Sequence, residues 1–377
     1  MTNLDQLNTP ALVLDRAKLT RNIKRMNDRA KSLGVSLRPH MKTAKSADVA
    51  RLVFDGESGP ITVSTVREAE YFLDHGFSDI FIAVGTTPEK IMRIQARSQP
   101  DADIRLAVDG PAMAAYIATA CKDQTIQARF MIEVDCGAHR GGVDAASDEL
   151  LETAKALSEG DLTIAGVFTH GGQSYDCTST EEIRSVARTE HQAIITAAQR
   201  LRDAGYDCPV VSLGSTPTAT FAEDLSGVTD MRPGIYMIQD LQQAGLGVCQ
   251  MDDLALSVLT TVIGLHADRN EALIDAGGLA LSKDRGASIN NPDPGYGLVC
   301  TLGGDVLDNL YVIGVSQEHG RITTLDGSPL PQDPLKPGTR LRILTNHGCM
   351  TAAAHDLYNV VEGGTQITDQ WDRVNGW

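Results

Sequence analysis

The feature that most constrains this chain is a repeated change of texture between residues 35 and 235. Short apolar, β-branched runs alternate there with segments of helical spacing. Eight such runs read as strands: VSLRPH, ITVST, IFIAVG, IRLAVD, FMIEVD, IAGVFTH, PVVSLG and VTDMRPG. Between them, STVREAEYFLDHG and the long stretch from Thr180 to Gly205 suit amphipathic helices. Alternation of strand and helix eight times over about 200 residues predicts a closed (β/α)8 barrel.

From about Leu254 the pattern changes. Runs such as LALSVLTTVIGLHA, EALIDAGG, YVIGVSQEHG, TRLRILTNHGC and DLYNVVEGG are separated by Gly and Pro turns, with weak helical periodicity. This predicts a mostly antiparallel β domain. The expected division is a barrel over residues 1–245 and a β domain over 246–377. The opening PALVLD is a further strand that either starts the barrel or joins the β domain. No internal repeat or long linker interrupts the chain.

Composition excludes several classes of function. A formal charge of −16 over 377 residues argues against a nucleic-acid partner and against anionic membrane surfaces. No apolar run approaches a membrane span, and the N-terminus lacks the layout of a signal peptide, so a cytoplasmic location is expected. Seven cysteines without paired spacing read as reduced thiols.

In a barrel of this kind the C-terminal ends of the strands open on one mouth, where active sites are built. The residues at those ends are His40 and Lys42, Ser64, Gly85, Asp109, Asp135 with His139 and Arg140, His170, the loop GSTPT at 214–218, and Arg232 with Gly234. The loop offers hydroxyls and accessible backbone. Together with Gly234 and Ile235 it suits a phosphate, which such barrels commonly bind after their seventh and eighth strands. Alone, GSTPT reads equally well as an ordinary turn. A lysine across the mouth from a phosphate site suggests a Schiff base to pyridoxal phosphate, with the amine activated by partial burial and by the nearby Arg38 and His40. A lysine taken at random is a solvated surface group, so Lys42 gains meaning only from this combination.

A second candidate site is NHGC. If LRILTNHGC is a strand, His347 and Cys349 project from one face and can share a metal. Imidazole and thiolate suit Zn2+, although another divalent ion is possible, and two protein ligands leave positions open for substrate. In isolation the pair reads more often as a core histidine beside a buried cysteine. His355 is not assigned. Asp284, Arg285 and Tyr296 read as surface loop residues more readily than as pocket lining.

RPHMKTAKS, EVDCGAHRGGV, THGGQSY, GSTPT, RPGIY and NHGC occur in one order along the chain. Together they resemble the D-serine dehydratase and D-threonine aldolase family of pyridoxal-phosphate enzymes, whose barrel is shared with alanine racemase. The similarity is to the branch that dehydrates D-serine and D-threo-3-hydroxyaspartate, and it spans nearly the whole chain. The resemblance implies that Lys42 holds the cofactor and that His170 lies against its ring. It places Arg140 near the phenolic oxygen and Arg232 where racemases set an arginine against the pyridine nitrogen. Ser215, Thr216, Gly234 and Ile235 match phosphate-binding positions, and His347 and Cys349 match the dehydratase zinc ligands. Aldolases carry a carboxylate in place of the cysteine.

The expected activity is therefore elimination of water from a D-3-hydroxy amino acid (D-serine, D-threonine or 3-hydroxyaspartate), giving a 2-oxo acid and ammonia. The alternative is retro-aldol cleavage to glycine and an aldehyde. A racemase or a non-catalytic cofactor-binding protein fits less well. The expected partner is a small D-amino acid, and the resemblance implies a homodimer.

Overall fold

Strand β1 (Ala11–Asp15) runs directly into the helix Arg16–Ser32. The strands that follow are β2 (Ser36–Leu37), β3 (Ile61–Val63), β4 (Asp79–Gly85), β5 (Asp103–Val108), β6 (Arg129–Asp135), the short β7 (Val143–Asp144), β8 (Ile164–Phe168), β9 (Val210–Leu213) and β10 (Asp230–Met231). These are the eight expected runs plus β7, which pairs only with β6. The computed structural model describes residues 2–122, 124–290 and 292–377. They form two compact units, one of Arg25–Gly234 with Val374–Trp377, the other of the chain up to Lys24 with Ile235–Arg373.

In the first unit the eight strands pair in parallel in the order β2-β10-β9-β8-β6-β5-β4-β3. The ring closes where His40 bridges Thr62, with Met41 N donating to Thr62 O at 2.7 Å and Thr62 N to Pro39 O at 2.9 Å. Parallel strands covered on both faces are apolar throughout rather than alternating, and every residue from Ile104 to Val108 is accordingly buried. Phe81, Ala107, Met131, Ala165 and Phe168 form one core cluster. The Phe81 and Phe168 rings meet edge to face, 4.9 Å between centroids.

Helix Thr180–Asp203 shows how an outer helix is specified. Ser179 caps it by accepting from Glu182 N, Glu181 and Glu182 lie in its first turn, and Arg200 and Arg202 in its last. Both charge placements favour the helix dipole.

The second unit contains β11 (Leu256–His266), β12 (Glu271–Ile274), β13 (Leu298–Cys300), β14 (Val306–Val315), β15 (Gly320–Thr324), β16 (Arg340–Leu344), β17 (Leu357–Val361) and β18 (Ile367–Asp372). Strands β12-β15-β14-β13-β16-β11 form a closed antiparallel ring, since β12 also pairs with β11. Closure leaves none of the six as an open edge. The unplaced PALVLD strand, β1, lies here, antiparallel to β11 and parallel to β17. The run YVIGVSQEHG spans the end of β14 and the turn into β15. Among the described residues no helix is long and apolar enough to cross a membrane.

Candidate active site

Barrel strand ends line a cavity of about 570 Å³ that includes His40, Lys42, Ser64, Asp109, Glu133, Arg140, His170, Gly214 and Arg232. Four of the sequence-predicted cofactor residues, Lys42, Arg140, His170 and Arg232, are thus brought together. The cationic side chains shape the site. Burial holds His40 well below the usual histidine range, reinforced by Lys42, Arg232, His170 and Arg140. His170 is held down to about 3 by burial and then by Lys42 and Arg140, and is neutral at working pH. Its Nδ1 lies 3.2 Å from Gly214 O, which makes Nδ1 the protonated nitrogen and leaves Nε2 as an acceptor.

Arg232 is only 4% exposed. Its Nη1 donates to Ser212 Oγ at 2.6 Å and Nη2 to Thr169 O at 2.5 Å, and the guanidinium lies over Phe168 and Phe81. Burial pulls it down to about 10, against the opposing charges of Asp230, Glu190 and Glu133, so it remains cationic. Arg140 is more exposed, and its Nη2 lies 3.3 Å from Glu133 Oε1.

The expected phosphate residues stand differently. Ser215 and Thr216 are buried at the start of helix Thr216–Phe221, where Ser215 Oγ accepts from Thr218 N and shares a hydrogen bond with Ser174 Oγ at 2.9 Å. They follow the cavity-lining Gly214 without lining the cavity themselves. Gly234 is tightly placed, since a Cβ there would stand 2.9 Å from His40 O and 3.0 Å from Thr43 Oγ1. Ile235, in the other unit, begins a 3-10 turn over Ile235–Met237, and its Cδ1 packs beneath Gly348.

Two expectations need correction. Arg38 is not a cation available to Lys42, because it is buried and paired with Asp79 at 2.7 Å and Asp230 at 3.8 Å. His347 and Cys349 do not alternate along a strand. Strand β16 ends at Leu344, His347 occupies the N-cap of helix Gly348–Ala352, and Cys349 lies in that helix's first turn. The two side chains still meet, by hydrogen bonding to one another. Burial opposes protonation of His347, but the bond and charge of Cys349, the charge of Asp240 and the bond to Asp284 outweigh it and carry the imidazole to about 10. Asp284 lies in a loop with its side chain 33% exposed, as expected, and its Oδ2 lies 2.7 Å from His347 Nδ1. Asp240 fixes the helix start by accepting from Gly348 N at 2.9 Å. His355 Nε2 faces Ala280 O at 3.1 Å instead. Among the described residues, no group of three or more His, Cys, Asp or Glu side chains converges as a metal cage.

Three carboxylates were missed as site residues: Glu133, Asp240 and Glu190. Glu190 left a signal, a charge within the apolar stripe Ile183, Ala187, Ile194, Ala197 and Leu201 of its helix, and Glu133 interrupts the apolar run FMIEVD.

A family model described as "Alanine racemase, N-terminal domain" matches residues 14–241, and one described as "Putative serine dehydratase domain" matches residues 255–361. The chain belongs to the serine dehydratase branch of the alanine racemase-fold enzymes. That fold is shared by pyridoxal-phosphate enzymes of fold type III. D-threo-3-hydroxyaspartate dehydratase from Delftia sp. (strain HT23) is 42% identical over 376 residues, covering 98% of each chain. Its solved structure superposes with a TM-score of 0.95 over 100% of both chains. D-serine dehydratase from Dictyostelium discoideum is 30% identical, covering 100% of this chain and 98% of the relative. D-threonine aldolase from Filomicrobium marinum stands further off, at TM-score 0.82 and 25% identity, covering 98% of this chain and 96% of that one. Two other solved structures are variants of a D-threo-3-hydroxyaspartate dehydratase. One has a histidine replaced by alanine; the other, metal-free, has a cysteine two positions further on replaced by alanine.

Proposed function

We propose that the protein eliminates water from a D-3-hydroxy amino acid, with 3-hydroxyaspartate the first candidate and D-serine or D-threonine the others, to give a 2-oxo acid and ammonia. The observation that carries this reading is the convergence of Lys42, Arg140, His170 and Arg232 on one cavity. The 42% identity to a hydroxyaspartate dehydratase supports the choice of substrate.

The residues fit pyridoxal phosphate. The cavity supplies a lysine, a neutral imidazole and two arginines, and the close approach of backbone at Gly234, where a Cβ would collide with His40 O, suits a cradle of N–H donors. When bound, the cofactor supplies a carbonyl carbon that condenses with amines and a conjugated sink for the electrons left at Cα. Lys42 would hold it through Nζ and, once replaced by the substrate amine, take the Cα proton. His170, uncharged, would lie against the ring. Arg140, steadied by Glu133, would face the phenolic oxygen. Arg232 would face the pyridine nitrogen, and Ser215, Thr216, Gly234 and Ile235 would bind the phosphate.

His347 and Cys349 would hold a divalent metal. The interaction of the Cys349 thiol with the His347 imidazole supports this reading, since the two form a donor pair that suits Zn2+. Such an ion supplies a Lewis acid for the departing β-hydroxyl. Asp284 would fix the ring through Nδ1, leaving Nε2 as the ligand.

Borohydride reduction of the cofactor-loaded protein followed by peptide mapping tests the assignment. The label should lie on Lys42; a label on another lysine would overturn it.

A further inference from the structure

Glu190 projects from helix Thr180–Asp203 and is only 1% exposed. Its Oε1 accepts from Gly171 N at 2.6 Å and from Gly214 N at 3.1 Å. One oxygen thus joins the loop after β8 to the loop after β9. The contact is tight, since a Cβ on Gly171 would lie 3.2 Å from Glu190 Cδ and 3.0 Å from Thr218 Cγ2. Ser174 ties the same two loops, with its Oγ 2.6 Å from Gly171 O and 2.9 Å from Ser215 Oγ. His170 precedes Gly171, and Ser215 follows Gly214.

We propose that Glu190 is a positioning residue that sets the spacing between His170, at the cofactor ring, and the Gly214–Thr216 loop, at the cofactor phosphate. The inference rests on the pyridoxal-phosphate reading above. A carboxylate among the buried residues of a helix is costly. Here Oε1 takes both amides while Oε2 has no hydrogen-bond partner among the described residues, so the cost is set against the bridge that Oε1 makes. An apolar side chain would pack that face without this cost but would leave two buried N–H donors unmatched and the loops held through the Ser174–Ser215 bond without the carboxylate bridge. What Glu190 supplies is reach and an acceptor at one point, and its charge is secondary.

The test uses the full chain stripped of cofactor and titrated with pyridoxal phosphate, read by absorbance and by the 31P signal of the bound phosphate. Glu190→Gln keeps reach and acceptor and should bind within about threefold of the unsubstituted protein, whereas Glu190→Asp keeps the charge but withdraws it by one methylene and should weaken binding about tenfold and shift the 31P signal. Glu190→Asp also retains a carboxylate, so it guards against simple failure to fold, and thermal unfolding is measured alongside. A Glu190→Asp protein that is less stable but binds the cofactor with unchanged affinity and 31P signal would overturn the inference. So would weakened binding in Glu190→Gln alone. Failure of the unsubstituted protein to bind the cofactor would instead overturn the underlying reading.

Discussion

Asp284 Oδ2 lies 2.7 Å from Nδ1 of His347, which leaves Nε2 as the ring nitrogen available to a metal. A carboxylate in this position fixes both the tautomer and the orientation of a metal-binding histidine, and its loss typically costs 10–100-fold in affinity. Asp284→Asn should therefore lower metal affinity by about 10- to 100-fold while cofactor binding is unchanged. Metal content after dialysis against graded chelator, with cofactor absorbance read on the same samples, checks this. Full metal retention would remove Asp284 from the site.

Gly234 allows no side chain without displacement of its surroundings. Gly234→Ala sets a Cβ against His40 O and Thr43 Oγ1, and overpacking of this kind costs about 1–3 kcal/mol. The expected outcome is a lower unfolding temperature together with weaker pyridoxal-phosphate binding. Unchanged values for both would show that the backbone there yields freely.

His170 makes a pH prediction. Burial, Lys42 and Arg140 hold it down to about 3 in the folded chain, whereas a histidine in the unfolded chain titrates near about 6.5. Between those values the unfolded state binds a proton that the folded state does not. Stability therefore rises with pH across that window, by about 1.4 kcal/mol per pH unit from this residue, and the residue adds no slope above it. In urea titrations of the cofactor-free protein, His170→Asn should flatten the dependence by about one proton between about pH 4.5 and 5.5 and leave it unaltered above about pH 7.5. An identical slope in both proteins would contradict neutral burial of His170.

The barrel was legible because its parallel strands are buried on both faces, so that IFIAVG and IRLAVD stand out as apolar runs. The polar residues that end such strands could then be aligned at one mouth, which is why Lys42, Arg140, His170 and Arg232 were found together. The helix carrying Cys349 was not legible, because GCMTA is too short to show a period. His347 and Cys349 meet at the start of a short helix and not along a strand, the geometry that the run LRILTNHGC suggests. Asp284 and His347 are paired across 63 residues of sequence, a relationship that no local pattern encodes. Arg38 misled because nearness in sequence to Lys42 said nothing of Asp79, which takes up its charge.

The central claim is elimination at a D-3-hydroxy amino acid. Product analysis after incubating the protein, loaded with pyridoxal phosphate and Zn2+, with D-threo-3-hydroxyaspartate tests it most directly. The account predicts oxaloacetate and ammonia in equal amounts; glycine with glyoxylate, the products of Cα–Cβ cleavage, would contradict it.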